Sequence, residues 1–127
     1  DDITKHTMHQ EYFSIPAATI AAIQAAKTSG NRVIALGTTM TRTLEYAHQQ
    51  ILHESPHDIT GEADIFIYPG YKFQVIDALI TNFHLPESTV LMLAAAFAGW
   101  NMLLPAYKHA VAERYRFFSY GDSMIIA

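Results

Sequence analysis

The chain has 127 residues, of which 50% are hydrophobic and 16% are charged, and it contains no cysteine. At ~150 residues per domain this length fits a single domain, and the apolar fraction excludes a mostly disordered chain. The lack of cysteine excludes disulfides, thiolate metal ligands and a cysteine nucleophile. The net charge of -4 lacks the basic surplus that is typical of free-standing nucleic-acid binders.

The first half of the chain alternates between helical and extended patterns. Pro16 and Gly30 bracket apolar residues at helical spacing, and a short apolar run follows Gly30. Thr38 and Thr39 then offer N-cap hydroxyls to a second helix. We predict, in chain order, a helix at 17–29, a buried strand at 32–36 and a helix at about 40–54.

The second half contains turn residues between apolar segments. We predict a loop at 55–63, a hairpin over 64–80, an apolar helix ending near Gly99, a helix capped by Asn101 and a strand over 117–126 that ends in an apolar tail. In the helix after Asn101 the predicted inward residues are Leu104, Tyr107 and Val111, with Pro105 in or near the first turn. The predicted class is α/β, a layered sheet with flanking helices. The longest apolar run, 90–98, is about half of what a membrane span needs, so we expect no membrane partner.

Residues 53–57 read His-Glu-Ser-Pro-His and match the H-E-x-x-H pattern of zinc hydrolases as text. Such a site needs both histidines one turn apart on a continuous helix. Pro56 would remove a hydrogen bond from that turn and clash with the carbonyl of Leu52. We therefore expect no metal site, and a zinc hydrolase is a disfavoured alternative.

The turn that begins at Gly37 follows a predicted strand and opens a helix. Its backbone N–H groups can bind a carboxylate or another anion, and ligands of open α/β sheets bind beyond the ends of the strands. A single glycine is neither a dinucleotide fingerprint nor a Walker loop. Spacing alone therefore favours an ordinary capped turn over a ligand site.

Polar residues also interrupt the apolar second half. Residues 81–88 form the densest polar cluster, and its one histidine, His84, can exchange a proton near neutral pH. Asp77 lies either on the wetter face of a strand or in the interior as a carboxylate with a raised pKa. Residues 114–122 interleave two arginines with aromatic rings, a pattern that suits either base stacking or core packing.

Four longer stretches stand out, in chain order: residues 37–45 (GTTxxRTLE), 64–71 (DIFIYPGY), 77–89 (DALITNFHLPxST) and 115–122 (YRFFSYGD). Together they resemble the S-adenosylmethionine:tRNA ribosyltransferase-isomerase family of queuosine biosynthesis. The resemblance covers essentially the whole chain. It implies that residues 1–127 are the C-terminal segment of the α/β domain of a larger two-domain enzyme, whose inserted β-barrel is absent here.

The resemblance implies transfer and isomerisation of the ribosyl part of S-adenosylmethionine onto 7-aminomethyl-7-deazaguanine at the tRNA wobble position. The products are epoxyqueuosine in the tRNA, adenine and methionine, so S-adenosylmethionine is a ribosyl donor. The implied partner is the anticodon loop, bound by a monomeric, cytoplasmic parent enzyme whose basic surface lies largely outside this segment. We expect the isolated segment to be inactive and able to self-associate through an exposed apolar patch.

The implied reaction needs a base that removes a proton from the ribose C5′, next to the sulfonium, and a proton donor for the leaving adenine. The candidates for proton transfer are His84 first, then Asp122 and Glu45. The candidates for holding the cofactor are Thr38, Thr39, Arg42, Asn82 and Ser88, and those for contacting the substrate are Tyr115, Arg116 and Tyr120. A non-catalytic α/β interaction module is the alternative.

Overall fold

The structure is a computed structural model that describes residues 11–83, 89–117 and 121–127. The helices are α1 (Ala17–Thr28), α2 (Thr38–Tyr46), α3 (His48–His53), α4 (Thr89–Ala98) and α5 (Trp100–Ala112). The strands are β1 (Glu11–Ile15), β2 (Ile34–Leu36), β3 (Ile59–Ala63), β4 (Ala78–Asn82) and β5 (Ser123–Ile126). The chain therefore has the predicted α/β class.

The strands form two sheets. β1 and β3 pair antiparallel, and β2, β4 and β5 form a three-stranded sheet with β4 in the middle. β2 runs parallel to β4, whereas β5 runs antiparallel to it. Parallel strands end at the same edge of a sheet, so the ends of β2 and β4 meet the start of β5 at one edge. That edge carries the candidate site.

The main core lies between the helices and one face of the three-stranded sheet. The predicted helical spacing is confirmed at Ile20 and Ile23 of α1, which pack with Leu44 and Ile51 of α2 and α3. α4 is apolar on every side and is buried along 91–95, between this core and a second cluster around Leu103 of α5. Within the described residues no helix has the length and hydropathy required to cross a bilayer.

Several predicted elements are wrong in their details. The single helix at 40–54 is two helices, because the chain bends at Ala47, which has φ -92° and ψ 15°. The predicted loop at 55–63 contains β3, and β1 was not predicted. The predicted hairpin does not form, since β4 begins only at Ala78 and pairs with β2 and β5.

The inward face of α5 is also different from the prediction. The helix begins at Trp100, directly after Gly99, so the expected cap at Asn101 is already inside it. Leu103 and Ala110 are buried, whereas Leu104 and Val111 are exposed. Pro105 lies beyond the first turn of this helix, where it cannot donate a backbone hydrogen bond to the carbonyl of Asn101.

Candidate functional site

The candidate site begins at the turn between β2 and α2. Gly37 has φ 94°, a left-handed conformation that glycine adopts without steric cost. Its N–H donates to the carbonyl of Ile80 at 2.7 Å, so the turn is joined to β4 directly after β2 ends. This bond fixes the start of α2 at the edge where both strands end.

The N-terminus of α2 opens at this edge. Gly37 is the N-cap, and the described helix has no side-chain cap hydrogen bond, so the predicted capping by Thr38 and Thr39 is wrong. Thr39 donates instead to Glu11 Oε2 at 3.3 Å, and the Thr41 hydroxyl donates to the Gly37 carbonyl at 2.9 Å. The first N–H groups of a helix lack intrahelical acceptors and carry partial positive charge, so a helix N-terminus attracts a carboxylate or phosphate group.

The end of β4 meets the start of β5 at the same edge. Asn82 pairs with Ser123 in the ladder, and its side-chain amide donates to the carbonyl of Asp122 at 3.3 Å. Asp122 and Arg116 are bonded in both directions, since the Arg116 N–H donates to Asp122 Oδ2 at 2.6 Å and the Asp122 N–H donates to the Arg116 carbonyl at 2.8 Å. The structure thus brings together Asn82, Arg116 and Asp122.

Gly121 permits this closure. A Cβ atom at Gly121 would lie 2.6 Å from the carbonyl oxygens of both Arg116 and Phe117, a distance that real Cβ atoms do not adopt. Sequence reasoning did not identify this residue as part of the site. The sequence signal that could have identified it is a glycine directly before the candidate Asp122, because glycine is required where two backbone segments approach closely.

An aromatic cluster packs around Phe83, directly after the end of β4. Phe83, directly after β4, is buried and contacts the rings of Tyr107, Tyr115 and Phe117 at centroid distances of 5.3, 5.7 and 5.5 Å. Tyr115 also meets His109 edge-on at 5.7 Å and keeps an exposed side. The stretch 114–117 therefore supplies packing as well as a surface ring.

Arg42 lies inside α2 and is 4% exposed. Its Nε donates to the carbonyl of Ile65 at 3.1 Å, its Nη2 donates to the carbonyl of Ala63 at 3.4 Å, and its Nη1 pairs with Glu11. These bonds join α2 to the end of β3 and to the chain beyond it. In this chain the side chain predicted to hold the cofactor is engaged with protein groups.

Glu45 is fully buried one turn further along α2. Its Oε1 accepts from the Gln74 N–H at 2.7 Å and from the Tyr71 hydroxyl at 3.1 Å. Its Oε2 accepts from the N–H groups of Val75 and Ile76 at 2.9 and 3.0 Å. Burial, together with the charge of Glu45 and the hydrogen bond to it, raises the pKa of the Tyr71 hydroxyl. Four donors thus converge on the Glu45 carboxylate, which has no exposed surface.

Asp77, directly before β4, also bonds to protein groups. Its Oδ2 accepts from the Val33 N–H at 2.8 Å and pairs with Lys27 Nζ at 3.2 Å. Partial burial opposes ionisation, but the Val33 hydrogen bond and the lysine charge outweigh it and lower the pKa of Asp77. The interpretation as a buried carboxylate with a raised pKa is therefore wrong.

Three predicted site residues, His84, Ser88 and Tyr120, lie outside the described residues. The H-E-x-x-H match lacks the continuous helix that it needs, because α3 ends at His53 and Glu54 is extended. His57 lies 3.7 Å from Glu54 on the surface. In the parts of the chain that the structure describes, no three histidine or carboxylate side chains are grouped as a metal site.

Comparison with known proteins identifies the family. Residues 1–126 match the family model described as "Queuosine biosynthesis protein". The chain belongs to this family. It is 59% identical over 127 residues to the S-adenosylmethionine:tRNA ribosyltransferase-isomerase of Chlorobium luteolum, covering 99% of this chain and 37% of that protein. It is 56% identical to the protein of the same name from Psychrobacter sp., over 99% of this chain and 33% of that protein.

A solved structure within the queuosine biosynthesis family has the same fold. The crystal structure of S-adenosylmethionine tRNA ribosyltransferase from Thermotoga maritima at 2.00 Å resolution superposes with a TM-score of 0.85 and 48% sequence identity. The match covers 94% of this chain and 42% of that one. The chain thus spans well under half the length of the relatives it matches, and the family resemblance predicted from four motifs is confirmed along the segment.

Proposed function

We propose that this chain is the C-terminal segment of the α/β domain of a cytoplasmic enzyme that transfers and isomerises the ribosyl part of S-adenosylmethionine onto tRNA. The acceptor is 7-aminomethyl-7-deazaguanine at the wobble position, and the products are epoxyqueuosine in the tRNA, adenine and methionine. The observation that carries the proposal is identity of 55–59% with enzymes of that name over practically the whole segment.

The edge formed by β2, β4 and β5 is the contribution of this chain to the site. The N–H groups at the start of α2, next to Thr38 and Thr39, suit a carboxylate such as that of the methionine part of the donor. Asn82 and Asp122 present an amide and a carboxylate at the same edge. Open α/β folds bind their ligands at such an edge, beyond the carboxyl ends of parallel strands.

Proton transfer is assigned to His84 first and to Asp122 second. A base must take the proton from the ribose C5′, and an acid must protonate the departing adenine. Asp122 accepts from the Arg116 N–H and is only partly buried, and its exposed fraction supports this assignment. Ser88 and Arg116 join the ligand-binding group, and Tyr115 and Tyr120 supply rings that can stack on substrate. Arg42 and Glu45 hold the fold on which this edge is built.

The test uses a full-length chimera in which this chain replaces the matching segment of the Chlorobium luteolum relative. Adenine release is measured with S-adenosylmethionine and tRNA carrying 7-aminomethyl-7-deazaguanine. We expect turnover by the chimera and none by the isolated chain. His84→Ala is expected to lower kcat by about 100-fold or more, whereas Thr60→Ala, on the exposed surface of β3, leaves kcat unchanged.

A second arm of that test separates the enzyme from a non-catalytic module. Asn82→Ala and Asp122→Asn in the chimera are each expected to reduce kcat/KM by about 10-fold or more, because the first removes a side-chain amide and the second removes the charge and the basicity of a carboxylate. A chimera that folds like the relative but releases no adenine would contradict the proposal. Full activity in all three site variants would contradict the assignment of this edge.

A further inference from the structure

The two faces of the three-stranded sheet have different surroundings. On one face, Ala35 and Leu79 are buried and Ile126 packs against both apolar clusters. Successive side chains along a strand point to opposite faces, so Leu36, Ile80 and Ile125 share the other face. The register places them side by side, with Leu36 opposite Ile80 and Ile80 opposite Ile125.

This second face carries exposed apolar side chains beside the buried Ala78, which lies opposite Ile34. Leu36 is 73% exposed and Ile125 is 71% exposed, and Ile34, two residues before Leu36, is 53% exposed. We call Ile34, Leu36, Ile80 and Ile125 the open face. Leu36 and Ile125 therefore keep about seven-tenths of their surface open to solvent.

The strand pairing indicates that the open face has a partner. Parallel sheets are covered on both faces, and their strands are apolar on both sides rather than alternating. β2 reads Ile-Ala-Leu, and the paired part of β4 reads Ala-Leu-Ile. Such strands suit the middle layer of a three-layer structure, whereas the described chain provides two layers.

We propose that the open face is the docking surface for the remaining part of the family's longer chain, which covers it with an apolar layer. This segment corresponds to 42% of the Thermotoga maritima chain, so more than half of that chain lies outside the match. The four open-face side chains expose a few hundred Å² at most, less than the ~800 Å² per partner of a stable protein–protein interface. A covalently linked segment avoids the association cost that a second copy pays.

The test exploits the absence of cysteine from this chain. Leu36→Cys and Ile125→Cys are made separately in the isolated chain and in the chimera described above, with cysteines elsewhere in the chimera replaced by serine. Thiol labelling is followed by mass spectrometry under native conditions. We expect fast labelling in the isolated chain and labelling at least ~100-fold slower in the chimera, where only local opening exposes the thiol.

Val111→Cys is the matched control, because Val111 is an aliphatic residue of α5 with 66% exposure. Its labelling is expected to be fast in both proteins. Equal labelling of Leu36→Cys and Ile125→Cys in the two proteins would overturn the proposal. Protection in the isolated chain that grows with protein concentration would also overturn it, because a second copy would then cover the face. The proposal rests on the proposed function in that it takes this chain as a segment of a longer enzyme. Catalytic activity does not enter either readout, so loss of adenine release and loss of protection are distinguishable outcomes.

Discussion

The interior of α2 and the edge at the end of β4 both carry polar residues from the family's motifs, but their surroundings are opposite. Arg42 and Glu45 are 4% and 0% exposed, with their polar groups directed at protein backbone. Asn82, Arg116 and Asp122 reach the surface and bond mainly to one another. A polar residue in a motif can thus serve the backbone rather than a ligand, and burial separates the two cases.

Arg42 and Glu45 are both buried against the segment between β3 and β4, and the backbone of that segment explains why they are polar. Residues 64–77 contain no strand, so their backbone groups lack ladder partners. Glu45 accepts three of their N–H groups, and Arg42 donates to the Ile65 carbonyl. Buried backbone groups need partners of this kind, and α2 supplies them with side chains.

Glu45→Ala is expected to have the largest effect on stability. It leaves three backbone N–H groups and the Tyr71 hydroxyl without their acceptor, and each unsatisfied buried group costs ~1–3 kcal/mol. We expect the free energy of unfolding of the isolated chain to fall by roughly 3–5 kcal/mol, measured by urea denaturation. Glu113→Ala, on the exposed end of α5, is the control. A loss below ~1 kcal/mol would show that the carboxylate is dispensable.

Arg42→Lys is expected to have the next largest effect. A lysine ammonium lacks the planar fork that reaches the Ile65 and Ala63 carbonyls and Glu11 together. The expected decrease in the free energy of unfolding is ~2–3 kcal/mol, at constant net charge. Arg32→Lys makes the same exchange at an exposed position and should change stability by less than ~0.5 kcal/mol. Equal losses of stability in Arg42→Lys and Arg32→Lys would show that the buried hydrogen bonds of Arg42 do not stabilise the fold more than an exposed arginine does.

Local patterns predicted α1 well because the residues that determine it are close together along the chain. Pro16, Gly30 and the spacing of Ile20 and Ile23 are sufficient to predict α1 within one residue at its C-terminal end. The prediction failed where partners are distant. The alternation at 71–75 predicts part of a hairpin over 64–80, but the Glu45 side chain of α2 accepts hydrogen bonds from the backbone there. β1 depends on β3, which lies more than 40 residues later, so its short pattern carried little local signal.

The candidate site was predictable as a set of residues but not as an arrangement. The motifs named Asn82, Arg116 and Asp122, and the structure brings all three together at one edge. The same motifs named Glu45 as a rival base, and the sequence does not reveal that four donors converge on its carboxylate. Gly121 was missed because its role depends on two carbonyl oxygens that approach it in space.

Asp77→Asn tests a partly exposed carboxylate that bonds both to the Val33 backbone and to the Lys27 side chain. The pKa of Asp77 is lower in the folded chain than its ordinary value, so the folded state binds fewer protons there than the unfolded state. Its contribution is present above pH ~4–5 and is lost as the pH falls through the folded pKa. We expect Asp77→Asn to reduce stability by ~1 kcal/mol or less at pH 7, since the Lys27 pair is solvent-screened. The gap between variant and parent should close towards pH 3, and a gap independent of pH would exclude this linkage.

Asn82→Ala and Asp122→Asn are expected to have the smallest effects on stability, below ~1 kcal/mol each. Asn82 loses a 3.3 Å bond that is partly open to water, and an asparagine at 122 can still accept from the Arg116 N–H. The same two substitutions are expected to lower kcat/KM of the chimera by about 10-fold or more, whereas we expect Glu45→Ala to reduce activity only through loss of folded protein. Thermal unfolding and kcat/KM are measured on the same preparations. They separate variants that destabilise the fold, such as Glu45→Ala, from variants that lower activity in a stable fold. If Asp122→Asn destabilised the chain as strongly as Glu45→Ala, the edge would be scaffold too, and the ligand-directed groups would have to lie elsewhere.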